Sequence, residues 1–231
     1  MVQQFTPETE TPILYPESDG QLMADNTQQF RWIVTIKENL EILFASVADV
    51  FVAGDLLWYP VEGNNKIRQA PDVMVVFGRP KGDRGSYQQW QENNIAPQVV
   101  FEIISPGNRA KQMAEKLLFY QRYGVEEYYL YDPNLQELTG LQRRDNWLEP
   151  IEQMNGWVSP RLEIRFELTE TGLEIYRPDG EKFLTPVELD QLRQQERQRA
   201  EQAEQELEQE RQRAERFAER LRELGVNPDE L

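Results

Sequence analysis

Cysteine and histidine are both absent from this chain. Without cysteine there are no disulfides, no thiolate zinc site and no thiol nucleophile. Without histidine there is no imidazole general base, no Ser-His-Asp triad and no imidazole metal site. Any catalysis here rests on carboxylates, lysine, tyrosine, serine or a hard cation held by oxygen. Long apolar runs are missing too, so no membrane span is expected. The first 25 residues have neither a basic start nor an apolar core; no secretion signal is read there, and the cytoplasm is the expected compartment.

Basic side chains are in short supply, with 25 Lys and Arg against 41 Asp and Glu and a formal charge of −16 over 231 residues. That balance repels phosphate polymers at long range and argues against a general nucleic-acid coat. It leaves room for an enzyme that grips nucleic acid locally and bridges acid to phosphate through a metal. The length suits one domain of ordinary size with an appendage. Three regions are expected: a surface arm over residues 1–25, a core over 26–184 and a helical stalk over 185–231.

Along the core, Asn26 or Thr27 can cap a helix running to about Phe44. Its apolar positions Trp32, Ile33, Ile36, Leu40, Leu43 and Phe44 fall on one side at helical period. Glu38 and Glu41 lie off that stripe and read as solvated. Val50 to Trp58 reads as a strand interrupted at Gly54-Asp55, with a turn at Gly63-Asn64-Asn65 and a hairpin into the strand after Pro71. Asp55 is thereby an acid able to face Asp72, or else a bulge residue beside Gly54. The polar stretch from Gly78 to Pro97 mixes Arg79, Lys81 and Arg84 with aromatics. That mixture suits phosphate and base contacts, or a plain solvated loop. Short strands are expected near 137–141, 147–151, 164–168 and 173–176, a half that reads as scaffold.

The chemistry gathers between Pro71 and Pro133. Asp72 opens the apolar run Val73–Phe77, and Glu102 stands inside Val99–Ile104. A buried ionised carboxylate needs compensation worth several kcal/mol. An edge strand with water or a lysine beside Glu102 is one solution. A divalent cation shared with Asp72 is the other. Ser105-Pro106-Gly107-Asn108 turns the chain into a helix ending at Tyr123-Gly124, with Met113, Leu117 and Tyr120 as its apolar stripe. Lys116 flanks that stripe in a row with Arg109 and Gln112. It either snorkels beside the core or reaches the acids. Two carboxylates, Mg²⁺ or Mn²⁺ and a lysine together suit phosphodiester hydrolysis. Two carboxylates also serve glycosidases, but Lys116 has no part in that chemistry and no aromatic cleft is evident.

Pro71-Asp72, Glu102, Ser105-Pro106, Lys116, Tyr120, Gly124-Val125, Glu127-Tyr128 and Asp132-Pro133 together resemble the Uma family of putative restriction endonucleases, within the PD-(D/E)XK nuclease superfamily. The resemblance covers roughly residues 15 to 170. It implies an α/β fold, a restriction-endonuclease-like mixed sheet flanked by helices. It further implies a Mg²⁺-dependent endonuclease acting on DNA, with Asp72 and Glu102 as metal ligands and the backbone carbonyl of Ile103 as an additional one. The superfamily lysine usually stands two residues after the glutamate, where this chain has Ile104; Lys116 matches the family's helical lysine instead. Members often carry an acid four residues earlier, where this chain has Gln112. Asp55, Arg109 and Gln112 are accessory candidates, and Arg79, Lys81 and Arg84 the candidates for gripping DNA.

From Val187 to Leu224 the composition shifts to Glu, Gln, Arg, Ala and Leu, and Glu196–Glu201 recurs as Glu210–Glu215, two heptads on. With Ala200, Leu207, Ala214 and Leu221 at a, positions d hold Leu189, Ala203, Phe217 and Leu224, but also Glu196 and Glu210, with Arg193 at a. A continuous helix with a weak coiled-coil seam follows, ended by Gly225. It would carry a homodimer or a coiled-coil partner. The alternative function is therefore an attenuated nuclease fold acting as a scaffold through this helix.

Overall fold

The computed structural model describes residues 13–18, 20, 23–107 and 110–223. Arg109, the turn at Asn108, the arm up to residue 12, Leu224 and the stop at Gly225 lie outside the described residues, as does the Leu221 side chain. Two compact units are found, Met1–Phe183 and Leu184–Leu231.

In the first unit, helix α1 spans Thr27–Leu43 and is capped by Asn26, whose side chain accepts the Gln29 N–H at 2.9 Å. Strands β1 (Val50–Gly54), β2 (Trp58–Tyr59), β3 (Val73–Phe77), β4 (Tyr87–Gln88) and β5 (Val99–Ile103) follow. Helix α2 (Ala110–Tyr123) leads to β6 (Glu127–Asp132), β7 (Glu137–Arg144), β8 (Trp147–Pro150), β9 (Arg165–Thr169) and β10 (Gly172–Tyr176). Among the described residues β1, β3, β5, β6, β7 and β8 form one sheet in that order. Every neighbour in it is antiparallel except β5 and β6, which run parallel because α2 carries the chain back between them. This is a mixed α/β fold.

Successive side chains of a strand point to opposite faces, so the sheet carries two cores. One gathers Ile33, Ile36 and Leu40 of α1 with Val52, Val75, Phe101, Ile103 and Phe166. The other gathers Tyr120 of α2 with Trp58, Met74, Tyr87, Val100 and Tyr128. Gly124, at φ +96°, ends α2 in a conformation that suits glycine, and Val125 N–H closes the helix on Tyr120 O at 3.1 Å.

The simple hairpin expected between β1 and β3 is more elaborate. Their pairing is antiparallel, but the connection makes β2, which pairs parallel with β4. Chain between Gly78 and Pro97 is likewise not plain loop: it holds β4 and a single 3-10 turn at Gln89–Gln91, and Tyr87 is fully buried. An aromatic inside a polar stretch anchored it, a pattern that composition alone does not distinguish from a mobile loop.

The second unit is helix α3, Pro186–Glu223. At 1.5 Å per residue it is about 57 Å long. Surface ion pairs at helical spacing line it, among them Arg197–Glu201 and Arg211–Glu215. Among the described residues no helix is long and apolar enough to cross a membrane.

Candidate active site

Register brings the acids together. Strand β3 pairs with β5 as Val73↔Phe101 and Met74↔Val100, so one further step sets Asp72 opposite Glu102. Strand β1 pairs with β3 as Gly54↔Val73, and the Asp55 N–H continues that ladder to Asp72 O at 3.3 Å. Asp55, Asp72 and Glu102 therefore form a row across three neighbouring strands at one end of the sheet. Alternation turns Asp72 and Glu102 to the same side as Met74 and Val100, the face that α2 covers.

Helix α2 supplies the cation. Lys116 Nζ lies 2.6 Å from Glu102 Oε2, and the Tyr120 hydroxyl, one turn on, donates to Glu102 Oε1. Trp58 stacks on Tyr120 with centroids 6.4 Å apart and meets Phe119 edge-on at 5.2 Å, which fixes how α2 lies on the sheet. Of the two sequence readings of Lys116, the structure selects the one in which it reaches the acid. The Asp72 carboxylate accepts the Ile103 N–H on Oδ2 at 2.6 Å. The Ile103 carbonyl in turn accepts Gln29 Nε2 at 2.9 Å.

A cleft of about 440 Å³ opens here, with Asp25, Gln29, Asp55, Asp72, Gln112 and Lys116 on its wall. Glu102, 2 % exposed, does not reach that wall; Lys116, bonded to it, does. Burial, followed by the charge of Glu102, pushes the Asp72 carboxyl up to about 8, against the smaller pull of Lys116. Burial opposes the charge on Lys116, but Glu102 and Asp72 outweigh it and hold the ammonium above its ordinary value. Burial and the Glu102 charge raise the Tyr120 phenol well above its usual range, so it remains a donor.

Once Asp72 is ionised, the two facing carboxylates exceed the one ammonium by a negative charge that a cation would offset, and the available ligand atoms are oxygens. Among the described residues no group of three or more His, Cys, Asp and Glu forms a metal cage. The ligand atoms that Asp72, Glu102 and the Ile103 carbonyl offer are all oxygens, the type that a hard cation such as Mg²⁺ takes while keeping several waters.

The candidates for gripping DNA sit elsewhere. Glu92 takes Arg79 Nε at 2.6 Å and Arg84 Nε at 2.7 Å, and the two arginine side chains are only 15 % and 12 % exposed. Arg84 also lies over the Phe51 ring at 3.9 Å, and Lys81 Nζ donates to the Phe44 carbonyl at 2.7 Å. The structure thus engages these three cations as fasteners of the 78–97 segment.

Sequence reasoning missed Gln29, Asp25 and Ser105. Gln29 stands four residues before Ile33 on the buried stripe of α1, a polar residue at an apolar position, which is a legible signal. The Ser105 hydroxyl donates to Asp25 at the edge of the same cleft, and only the fold joins them. Glu127 is a further buried acid, 2 % exposed, at the opposite end of the sheet. It accepts Ser159 Oγ at 2.5 Å, Tyr129 OH at 2.9 Å and the Arg161 N–H at 2.8 Å.

Comparison with known proteins adds three findings. A family model named Uma2 and described as a putative restriction endonuclease matches residues 7–210. No curated protein matches. Among solved structures, a putative nuclease of the DUF820 group from Anabaena variabilis is similar, at 14 % identity and a TM-score of 0.44, over 58 % of this chain and 72 % of that one.

Proposed function

This chain belongs to the Uma2 family of putative restriction endonucleases, and from that membership we propose that it is a Mg²⁺- or Mn²⁺-dependent endonuclease that hydrolyses DNA phosphodiester bonds. The observation that carries the reading is the convergence of Asp72, Glu102 and Lys116, remote in sequence, on one end of the sheet.

Asp72 and Glu102, with the Ile103 carbonyl, would hold the cation. Bound there, it supplies neutralisation of phosphate charge and a lowered pKa for a bound water. The chain's own groups do the rest. Lys116 presents a buried ammonium at the cleft, able to meet the charge that develops on the phosphate oxygens. The Asp72 carboxylate is aimed by the Ile103 N–H, so its other oxygen is free of that bond and directed by it. Asp55 and Gln112 sit on the same wall, where they can orient water or a sugar–phosphate strand. DNA is the substrate class that the family description suggests, and a homodimer would put one such site on each strand.

A second reading rests on a specific observation. Both Glu102 oxygens and the Ile103 carbonyl already accept hydrogen bonds within the chain. A polar centre satisfied in this way suits an attenuated nuclease fold that acts as a scaffold through α3. One experiment separates the two. Nicking of supercoiled plasmid is expected with Mg²⁺ and not with EDTA, and Asp72→Ala and Glu102→Ala are expected to abolish it. Equal cutting by parent and both variants would refute the site, and an inert, well-folded parent would favour the scaffold.

A further inference from the structure

Among the phenols buried on the α2 side of the sheet, Tyr120 and Tyr128 pack against each other and differ in one respect. Tyr120, fully buried, donates its hydroxyl to Glu102 Oε1. Tyr128, 1 % exposed, stands opposite Val100 on β5, one pair back from Glu102 on the same face, and its hydroxyl has no hydrogen-bond partner among the described residues. Their rings lie 5.3 Å apart. Packing alone therefore accounts for the position of Tyr128, whereas Tyr120 adds a directed bond to an acid.

We infer that Tyr120 is a positioning residue: it pins one oxygen of Glu102 so that the other, Oε2, is the oxygen presented toward Lys116 and a divalent cation. A carboxylate free to rotate about its last torsion offers either oxygen in many orientations. Here that torsion is held from both sides. Trp58 and Phe119 brace the Tyr120 ring, so the donor does not follow the carboxylate if it turns. Partners that orient a metal-ligating group in this manner sustain affinity about 10–100-fold. Lys116 holds Oε2 at 2.6 Å and is the exchangeable occupant, because its side chain extends to the cleft while Tyr120 is sealed in the core. This inference rests on the metal-binding reading above.

The test uses the full chain and Mn²⁺, with free ion counted by electron paramagnetic resonance and thermal melting followed alongside. Tyr120→Phe removes one oxygen and keeps the ring; Tyr128→Phe removes the same atom next door. The expected result is a dissociation constant for Mn²⁺ raised at least about tenfold by Tyr120→Phe and unchanged by Tyr128→Phe. Parental affinity in Tyr120→Phe, or equal weakening in both variants, would overturn the inference and leave the metal site standing. Should Tyr120→Phe lose its cooperative melt, 3-fluorotyrosine placed at position 120 alone gives a second readout. Its fluorine resonance should move saturably with Mg²⁺, and a resonance indifferent to Mg²⁺ would count against the role. A parent that binds no Mn²⁺ would remove the reading beneath as well.

Discussion

The ammonium of Lys116 and the carboxylate of Glu102 meet at 2.6 Å across fourteen positions of sequence, one on α2 and the other on a fully buried strand. Neither is stable in that place without the other. Removing one partner of a buried pair leaves an uncompensated charge, at a cost of roughly 3–5 kcal/mol. Lys116→Ala is expected to fall toward the lower end of that range, because its side chain keeps 18 % exposure. The double change Lys116→Met with Glu102→Gln should recover much of the loss in urea melts while remaining unable to nick plasmid. Additive losses in the double variant would show that the pair is not coupled.

Glu92 ties the 78–97 segment through two arginines. Burial alone would raise its pKa, but Arg84 and Arg79 prevail and hold the carboxyl below its ordinary value. A depressed carboxylate contributes stability above its unfolded value, about 4.3, and loses it as pH falls through the folded one. Glu92→Gln should therefore cost about 1–3 kcal/mol at neutral pH and flatten the acid limb of the stability curve below about pH 4. Urea midpoints from pH 2.5 to 7 measure both effects. An acid limb that is as steep in the variant as in the parent would refute it.

Glu127 carries the opposite sign. Burial raises its pKa against the hydrogen bonds from Ser159, Tyr129 and Arg161. Protons bind the folded state more readily, so its contribution is full below the unfolded value and fades as pH climbs through the folded one. The slope is at most about 1.4 kcal/mol per pH unit. Glu127→Gln should remove that decline while keeping the fold, as read by melting at pH 4 to 7 beside the parent.

Tyr128 has a buried hydroxyl without a partner among the described residues. Its removal ends a desolvation penalty and breaks no bond, so Tyr128→Phe should be neutral or stabilising by up to about 1 kcal/mol. A loss larger than that, in calorimetry, would mean the hydroxyl is satisfied in solution.

Helix α3 exposes Leu207 and Phe217 at seam positions. Paired in parallel, Arg199 at g would face Glu204 at e of a second copy, and Glu206 would face Arg211, both attractive. Glu196 and Glu210 at d oppose the pairing. Deleting residues 187–231 should lower the oligomeric state and leave the core melt intact, whereas Glu210→Leu should tighten association. Light scattering that reads the same mass for all three chains would refute α3 as the interface.

Much of the frame was readable because it depends on neighbours in sequence. Asn26 as a cap, the stripe of α1, the stop at Gly124, the late strands and the long α3 each follow from side chains within a turn or two. Asp72 and Glu102 could be singled out because an acid in an apolar strand violates the local pattern. Arg79 and Arg84 could not be resolved, since a guanidinium paired with Glu92 and one waiting for phosphate look alike in a polar stretch. Gln29 is marked as inward-facing by its spacing to Ile33 and Ile36, although a polar side chain there says nothing of the Ile103 carbonyl it meets.

Local order is what this sequence determined by itself: hydrophobic period, caps and breakers act over a few residues, so the elements, the absence of thiol and imidazole chemistry, and the oddity of two strand acids were all present in the letters. Tertiary structure alone decided that Asp55, Asp72 and Glu102 share one row, that Lys116 turns inward to Glu102, and that Tyr120 completes the carboxylate's hydrogen bonds. Those relations depend on strand register and on the angle at which Trp58 seats α2. Both are settled by packing between residues far apart in the chain, where a slip of one position in a strand's pairing would turn its acid to the other face of the sheet, away from α2.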